Sequence, residues 1–113
     1  MAYVARAIDM IRGKRFGDGS AVALVEATAM TPPPGLWRPG AQVVHNWNLS
    51  PGTAVAMFVQ GHYTSAHDCH VGLYVTQGPN GIILLDQGDG NVASDTEYSL
   101  HGDGDASKYY VIE

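Results

Sequence analysis

The run Thr31-Pro32-Pro33-Pro34-Gly35 constrains the fold of this chain more than any other feature. Successive prolines fix φ and remove backbone donors, so neither a helix nor a central strand can pass through it. It separates an N-terminal part patterned like helices from a C-terminal part patterned like strands. Before it, Val4, Ala7, Ile8 and Ile11 recur at helical spacing with Arg6, Asp9 and Arg12 between them. This predicts an amphipathic helix over about residues 3–12, ended by Gly13. Phe16-Gly17-Asp18-Gly19-Ser20 is a flexible lead-in that ends on capping residues. The alanine-rich stretch Ala21 to Ala29 then predicts a second helix starting near residue 20.

Irregular backbone is expected from the prolines through Leu36-Trp37-Arg38-Pro39-Gly40, and a short helical or irregular segment over 41–49. Pro51-Gly52 is a turn. Thr53 to Gln60 is almost wholly apolar, as a strand covered on both faces would be. Val71–Thr76 and Ile82–Asp86, joined by Gln77-Gly78-Pro79-Asn80-Gly81, read as a hairpin. Glu97–Leu100 and Tyr109–Ile112 read as two more strands. Helices followed by antiparallel strands predict a single α+β domain over residues 1–113, with N-terminal helices on a five-stranded sheet.

Composition narrows the function. With 6 Lys+Arg against 11 Asp+Glu, the net charge of −5 lacks the basic footprint of a nucleic-acid binder. No apolar run approaches the roughly 20 residues of a membrane span, so membrane insertion is not expected. Arg6, Asp9 and Arg12 interrupt the N-terminus where a secretory signal needs a continuous apolar core. The single cysteine, Cys69, permits neither an internal disulfide nor an all-thiolate metal cage.

His62, His67, Asp68, Cys69 and His70 gather potential metal ligands in one stretch, but their spacing matches no structural zinc motif. Neighbouring residues of a strand also point to opposite faces, which separates Cys69 from His70. The same alternation argues against a Cys69–His70 nucleophile and base, and Cys69 reads as a packing residue. Asp86–Gly90 and Gly102–Asp105 lack the spacing of a calcium loop and read as turns. No cofactor or metal is expected.

His70 opens the apolar strand His70-Val71-Gly72-Leu73-Tyr74-Val75, and the neighbouring strand ends in Asp86-Gln87. In an antiparallel hairpin these ends are adjacent, which supplies a general base and a polar group to hold its ring. A four-residue loop over Gly78–Gly81 would bring Gln87 to the His70 face. An odd loop or a bulge would bring Asp86 there instead.

The ordered series formed by the Gly-rich lead-in to Val22-Ala23-Leu24-Val25, then Trp37-Arg38-Pro39-Gly40, Pro51-Gly52-Thr53-Ala54-Val55-Ala56, His70-Val71-Gly72-Leu73-Tyr74-Val75 and Gly81-Ile82-Ile83-Leu84-Leu85-Asp86-Gln87, resembles a known group. It is similar to the CHAP and NlpC-type papain-like cysteine peptidases and amidases of bacterial cell walls. More narrowly, it resembles their very short bacterial members of the type VI amidase-effector kind, over nearly the whole chain. The resemblance implies a papain-like fold, a peptidoglycan stem-peptide amidase or endopeptidase activity, and His70 as general base with Asp86 or Gln87 orienting it. It implies a nucleophilic cysteine just before Val22. This chain has Ala21 there, and alanine cannot attack a carbonyl.

Ser20, one residue earlier, would be rotated about 100° around the helix, a poor substitute nucleophile; it is a candidate for the oxyanion side instead. Trp37, Arg38 and Tyr63 are candidates for the substrate groove, Arg38 through a stem-peptide carboxylate; His45 and Asn46 are weaker ones. Core packing for Trp37 and a solvated charge for Arg38 are the plain alternatives. The resemblance further implies an exported antibacterial effector acting in a target cell's periplasm, with a cognate immunity protein as partner. A phage lysis enzyme and a non-catalytic binder of peptidoglycan or protein are the other readings.

Overall fold

The computed structural model describes residues 2–64, 69–88, 90–101 and 105–113. Two α-helices, α1 (Ile8–Ile11) and α2 (Ala21–Thr28), precede the strands of the sheet. Among the described residues the strands are β1 (Pro39–Gln42), β2 (Ala54–Met57), β3 (Val71–Gly78), β4 (Gly81–Asp86), β5 (Ser94–Ser99) and β6 (Tyr109–Ile112). They form one six-stranded sheet in the order β1-β6-β2-β3-β4-β5, and each pairing is antiparallel. The α+β expectation holds, with one strand more than sequence suggested.

The extra strand is β1, in the segment read as irregular. Proline cannot donate to a ladder, but Pro39 sits on an edge strand that pairs only with β6, where the missing donor costs little. The first helix is shorter than expected for a related reason. Residues 3–5 give their backbone groups to the chain near Gly52: Ala54 N–H donates to the Tyr3 carbonyl and Ala5 N–H to that of Gly52, both at 2.8 Å. A backbone committed to a β-type bridge between Val4 and Thr53 cannot also be helical, so only Ile8–Ile11 turns.

Cross-strand partners share a face, so the register sorts side chains into two cores. Ala54, Ala56, Val71, Leu73, Leu85 and Ile112 face α2 and pack with its buried Leu24 and Val25. Val55, Met57, Tyr74, Ile82, Leu84, Tyr109 and Val111 form the core of the opposite face. β2 is buried at every position because both faces are covered, as its unbroken apolar sequence required.

The β3–β4 hairpin is tighter than sequence suggested. Both strands run up to the pair Gly78–Gly81, leaving Pro79-Asn80 as the turn. A bulge compensates: Tyr74 pairs with Leu84 but Thr76 with Ile83, so Val75 is an additional residue. That one residue decides the faces beyond it, towards the ends where His70 and Asp86 lie.

Candidate active site

α2 begins at Ala21, and its N-terminus is held by short-range bonds. Ser20 is the N-cap, its Oγ accepting the Ala23 N–H at 3.1 Å. The Ser20 N–H in turn donates to Asp18 Oδ1 at 2.9 Å. That contact, led by the Ser20 side chain and then its backbone, holds the Asp18 carboxyl below its ordinary range. Ser20 Oγ therefore serves the helix end, a further reason against a nucleophilic role. Gly19 has φ +85°, and a Cβ there would run into the backbone of Gly90, so the lead-in must carry glycine at this crossing.

The bulge places Asp86 opposite Gly72, on the side of the sheet that alternation assigns to His70. A Cβ on Gly72 would stand 3.2 Å from that of Asp86, so the glycine leaves the carboxylate room. Gln87 falls on the other face, correcting its assignment as an alternative partner of His70. It is 2% exposed, and its carboxamide is committed to the helix lead-in. Gln87 Oε1 accepts the Phe16 N–H at 2.9 Å, and Nε2 donates to the carbonyls of Phe16 at 2.8 Å and Ser20 at 2.9 Å. Gln87 thus fastens the start of α2 to the end of β4, beside the start of β3 where His70 stands.

On the opposite face, Asp86 accepts hydrogen bonds from Thr96 Oγ1 at 2.8 Å and the Tyr98 hydroxyl at 2.5 Å. It makes none with His70. The exposed His70 ring instead lies beside Tyr98, centroids 6.3 Å apart, and the His70 carbonyl accepts the Met57 N–H. Tyr98 packs on Tyr109 at 5.1 Å. Burial first, then the Asp86 contact, raises the Tyr98 hydroxyl well above the ordinary phenol range; burial followed by Tyr98 does the same to Tyr109. Both stay protonated, which keeps Tyr98 a donor to Asp86.

Trp37 is 3% exposed and donates its indole N–H to the Pro32 carbonyl at 2.7 Å, so it is a core residue and a floor rather than a projecting contact. Tyr63 leans on it at 4.8 Å, its hydroxyl pushed up to about 12 by burial and then by Cys69. Over Trp37 lies a hollow of about 600 Å³ lined by Gly35, Leu36, Arg38, Pro39, Gly61 and His62. Arg38 is exposed on its wall, while its backbone exchanges two hydrogen bonds with Glu113. His45 and Asn46 belong to a different place, held through backbone atoms by Gln77 of β3. Cys69 is a buried free thiol. His67, Asp68 and most of the Gly102–Asp105 loop lie outside the described residues, as does Asp89. Among the described residues no cluster could hold a metal ion, and no helix is long and apolar enough to cross a membrane.

Sequence reasoning missed Thr96 and Tyr98, although their period-two spacing on a strand next to Asp86 is the signal that could have found them. It also missed Phe16, whose part is played by backbone atoms and carries no residue signature.

The family model described as domesticated amidase effector 2 matches residues 3–112. The chain belongs to that family. Among solved structures, type 6 secretion amidase effector 2 is similar to it with a TM-score of 0.86 at 24% identity, over 98% of this chain and 94% of that one. The likeness establishes the papain-like fold. No curated protein matches the chain. In this member of an amidase-effector family, α2 begins on Ala21.

Proposed function

We propose that the chain has the architecture of a cysteine-type peptidoglycan stem-peptide amidase or endopeptidase whose nucleophile position is occupied by Ala21. As it stands, it binds its substrate without cleaving it. The reading rests on one observation: the start of α2, at Ala21, is fastened by Gln87 through Phe16 and Ser20 to the end of β4, and His70 immediately precedes the neighbouring β3.

A cysteine at position 21 would stand at a helix N-terminus, where the partial positive charge favours a thiolate. Its Sγ would attack the amide carbonyl carbon. The N–H groups of residues 21 and 22, used by neither the Ser20 cap nor an intrahelical bond, would hold the oxyanion. His70 would give a proton to the leaving amine, and water would then hydrolyse the thioester as His70 takes a proton back. The hollow beside Arg38 and His62 suits an acidic stem-peptide group, with Trp37 as its apolar floor and Tyr63 packed against that indole.

In the active form the product would be an antibacterial effector exported to a competitor's periplasm, which gives the producing cell need of an immunity protein that covers this cleft. Ala21 itself favours a second reading, a pseudoenzyme kept for binding. Ala21→Cys decides between them. On purified sacculi the folded variant releases stem-peptide fragments detected by mass spectrometry, and directed to the periplasm it is toxic. A folded variant that leaves sacculi intact refutes the hydrolase architecture and leaves the binder.

A further inference from the structure

The two tryptophans of the chain have opposite settings. Trp37 is 3% exposed, whereas Trp47, on the loop between β1 and β2, is 62% exposed. Its loop neighbours Val43, Val44 and Leu49 pack into the core opposite α2, so Trp47 is the apolar side chain that this loop leaves outside. The loop is nevertheless fixed. The half-buried Gln77 of β3 accepts the His45 N–H at 2.9 Å through Oε1. Its Nε2 donates to the carbonyls of Val43 at 2.9 Å and Asn46 at 3.1 Å. Two turns reinforce it, the Asn46 N–H donating to the Val43 carbonyl and the Leu49 N–H to that of Asn46. His45 takes φ +67°, a region that few residues with a Cβ adopt, and its ring lies 5.9 Å from the indole. Such a loop spends three bonds of a strand residue and a strained backbone on presenting an indole to solvent, a combination that marks recognition rather than packing.

We propose that Trp47 is a sugar-stacking platform that binds the glycan strand of peptidoglycan, on the sheet face opposite α2 and apart from position 21. One face of a pyranose ring carries polarised C–H groups that meet the negative face of an indole, while its hydroxyl and acetamido groups lie at the rim. His45, Asn46 and Asn48 adjoin Trp47 and bring donors and acceptors suited to that rim. A nucleic-acid base would also stack, but a net charge of −5 repels its phosphates. A lipid surface calls for several apolar side chains with cations beside them, and the neighbours of Trp47 are two asparagines and a histidine. The choice of glycan rests on the peptidoglycan reading; the platform itself needs nothing from position 21. Because the ligand is a polymer, a second contact lengthens the hold on a strand whose stem peptide lies in the cleft.

Tetra-N-acetylchitotetraose carries no stem peptide and therefore isolates this site. Titrated into the unaltered chain, it moves the tryptophan emission to the blue and shields it from acrylamide, the buried Trp37 supplying a constant background. Trp47→Ala loses both responses. Trp47→Tyr keeps an aromatic face and retains binding, read by calorimetry, and Gln77→Leu, folded by circular dichroism, weakens binding about 10-fold through the loosened loop.

An emission unmoved by the sugar, or equal affinity of Trp47→Ala by calorimetry, overturns the proposal. So does a blue shift with phosphatidylglycerol vesicles but not with the sugar, which would assign Trp47 to a lipid surface. A shift that grows with protein concentration alone would assign it to a second copy of the chain and also overturns it. If Ala21→Cys leaves sacculi intact, the hydrolase architecture fails while the sugar titration still decides the role of Trp47.

Discussion

At the end of the sheet where β3 begins and β4 ends, the two faces are built from different materials. On the helix face one neutral carboxamide, Gln87, bonds three backbone groups of the lead-in to α2. On the other face the work is done by side chains: a carboxylate, two hydroxyls and the imidazole of His70. The helix face holds a shape around position 21, whatever residue stands there, because its bonds go to backbone. The other face is held by side-chain contacts, and every one of them depends on the residue that makes it. The side chain at position 21 can therefore change without loosening the start of α2.

That contrast can be broken most severely at Gln87. Gln87→Leu keeps the volume but strands the Phe16 N–H and the carbonyls of Phe16 and Ser20 in a half-buried place. The expected loss is about 3 kcal/mol, read as a lower urea midpoint with an unchanged slope. If the variant is as stable as the parent, the lead-in is not held from β4.

Three buried or half-buried tyrosines give a pH-dependent effect. Folding raises Tyr63, Tyr98 and Tyr109 above their ordinary value of 10.0, because burial opposes the phenolates. Their contribution to stability is fully present below pH 10 and is lost as pH rises, for Tyr63 between 10.0 and about 12. Thermal unfolding should thus show a falling Tm above pH 10, and Tyr109→Phe should make that fall shallower. A flat alkaline profile would mean that these hydroxyls reach solvent.

The smallest effect belongs to the cap. Ser20→Ala removes one acceptor from the end of α2 and should cost about 1 kcal/mol, with Ser20→Asp recovering most of it. Equal stability of all three would show that Gln87 alone secures the helix start.

Much of this organisation was legible in sequence. α2 was, because alanine content and a capping serine agree with its tertiary place, and so were β2 and the β3–β4 hairpin. β1 was not, since Pro39-Gly40 argues against a strand until its edge position is known. Residues 3–7 misled because apolar spacing says nothing of a backbone partner as distant as Thr53. The choice between Asp86 and Gln87 hung on a bulge at Val75, a residue with nothing in its chemistry to mark it. Trp37 shows a further limit: burial and recognition use the same aromatic residue, and only packing separates them.

The central claim is that position 21 and His70, on either side of the sheet's end, act as one centre once a thiol stands at position 21. Alkylation of Ala21→Cys by iodoacetamide as a function of pH tests it directly, with the buried Cys69 as the slow internal control. The account predicts that the new thiol ionises well below the usual value of about 8.5, and that His70→Asn moves it back towards that value. An apparent pKa near 8.5, the same with and without His70, would contradict it.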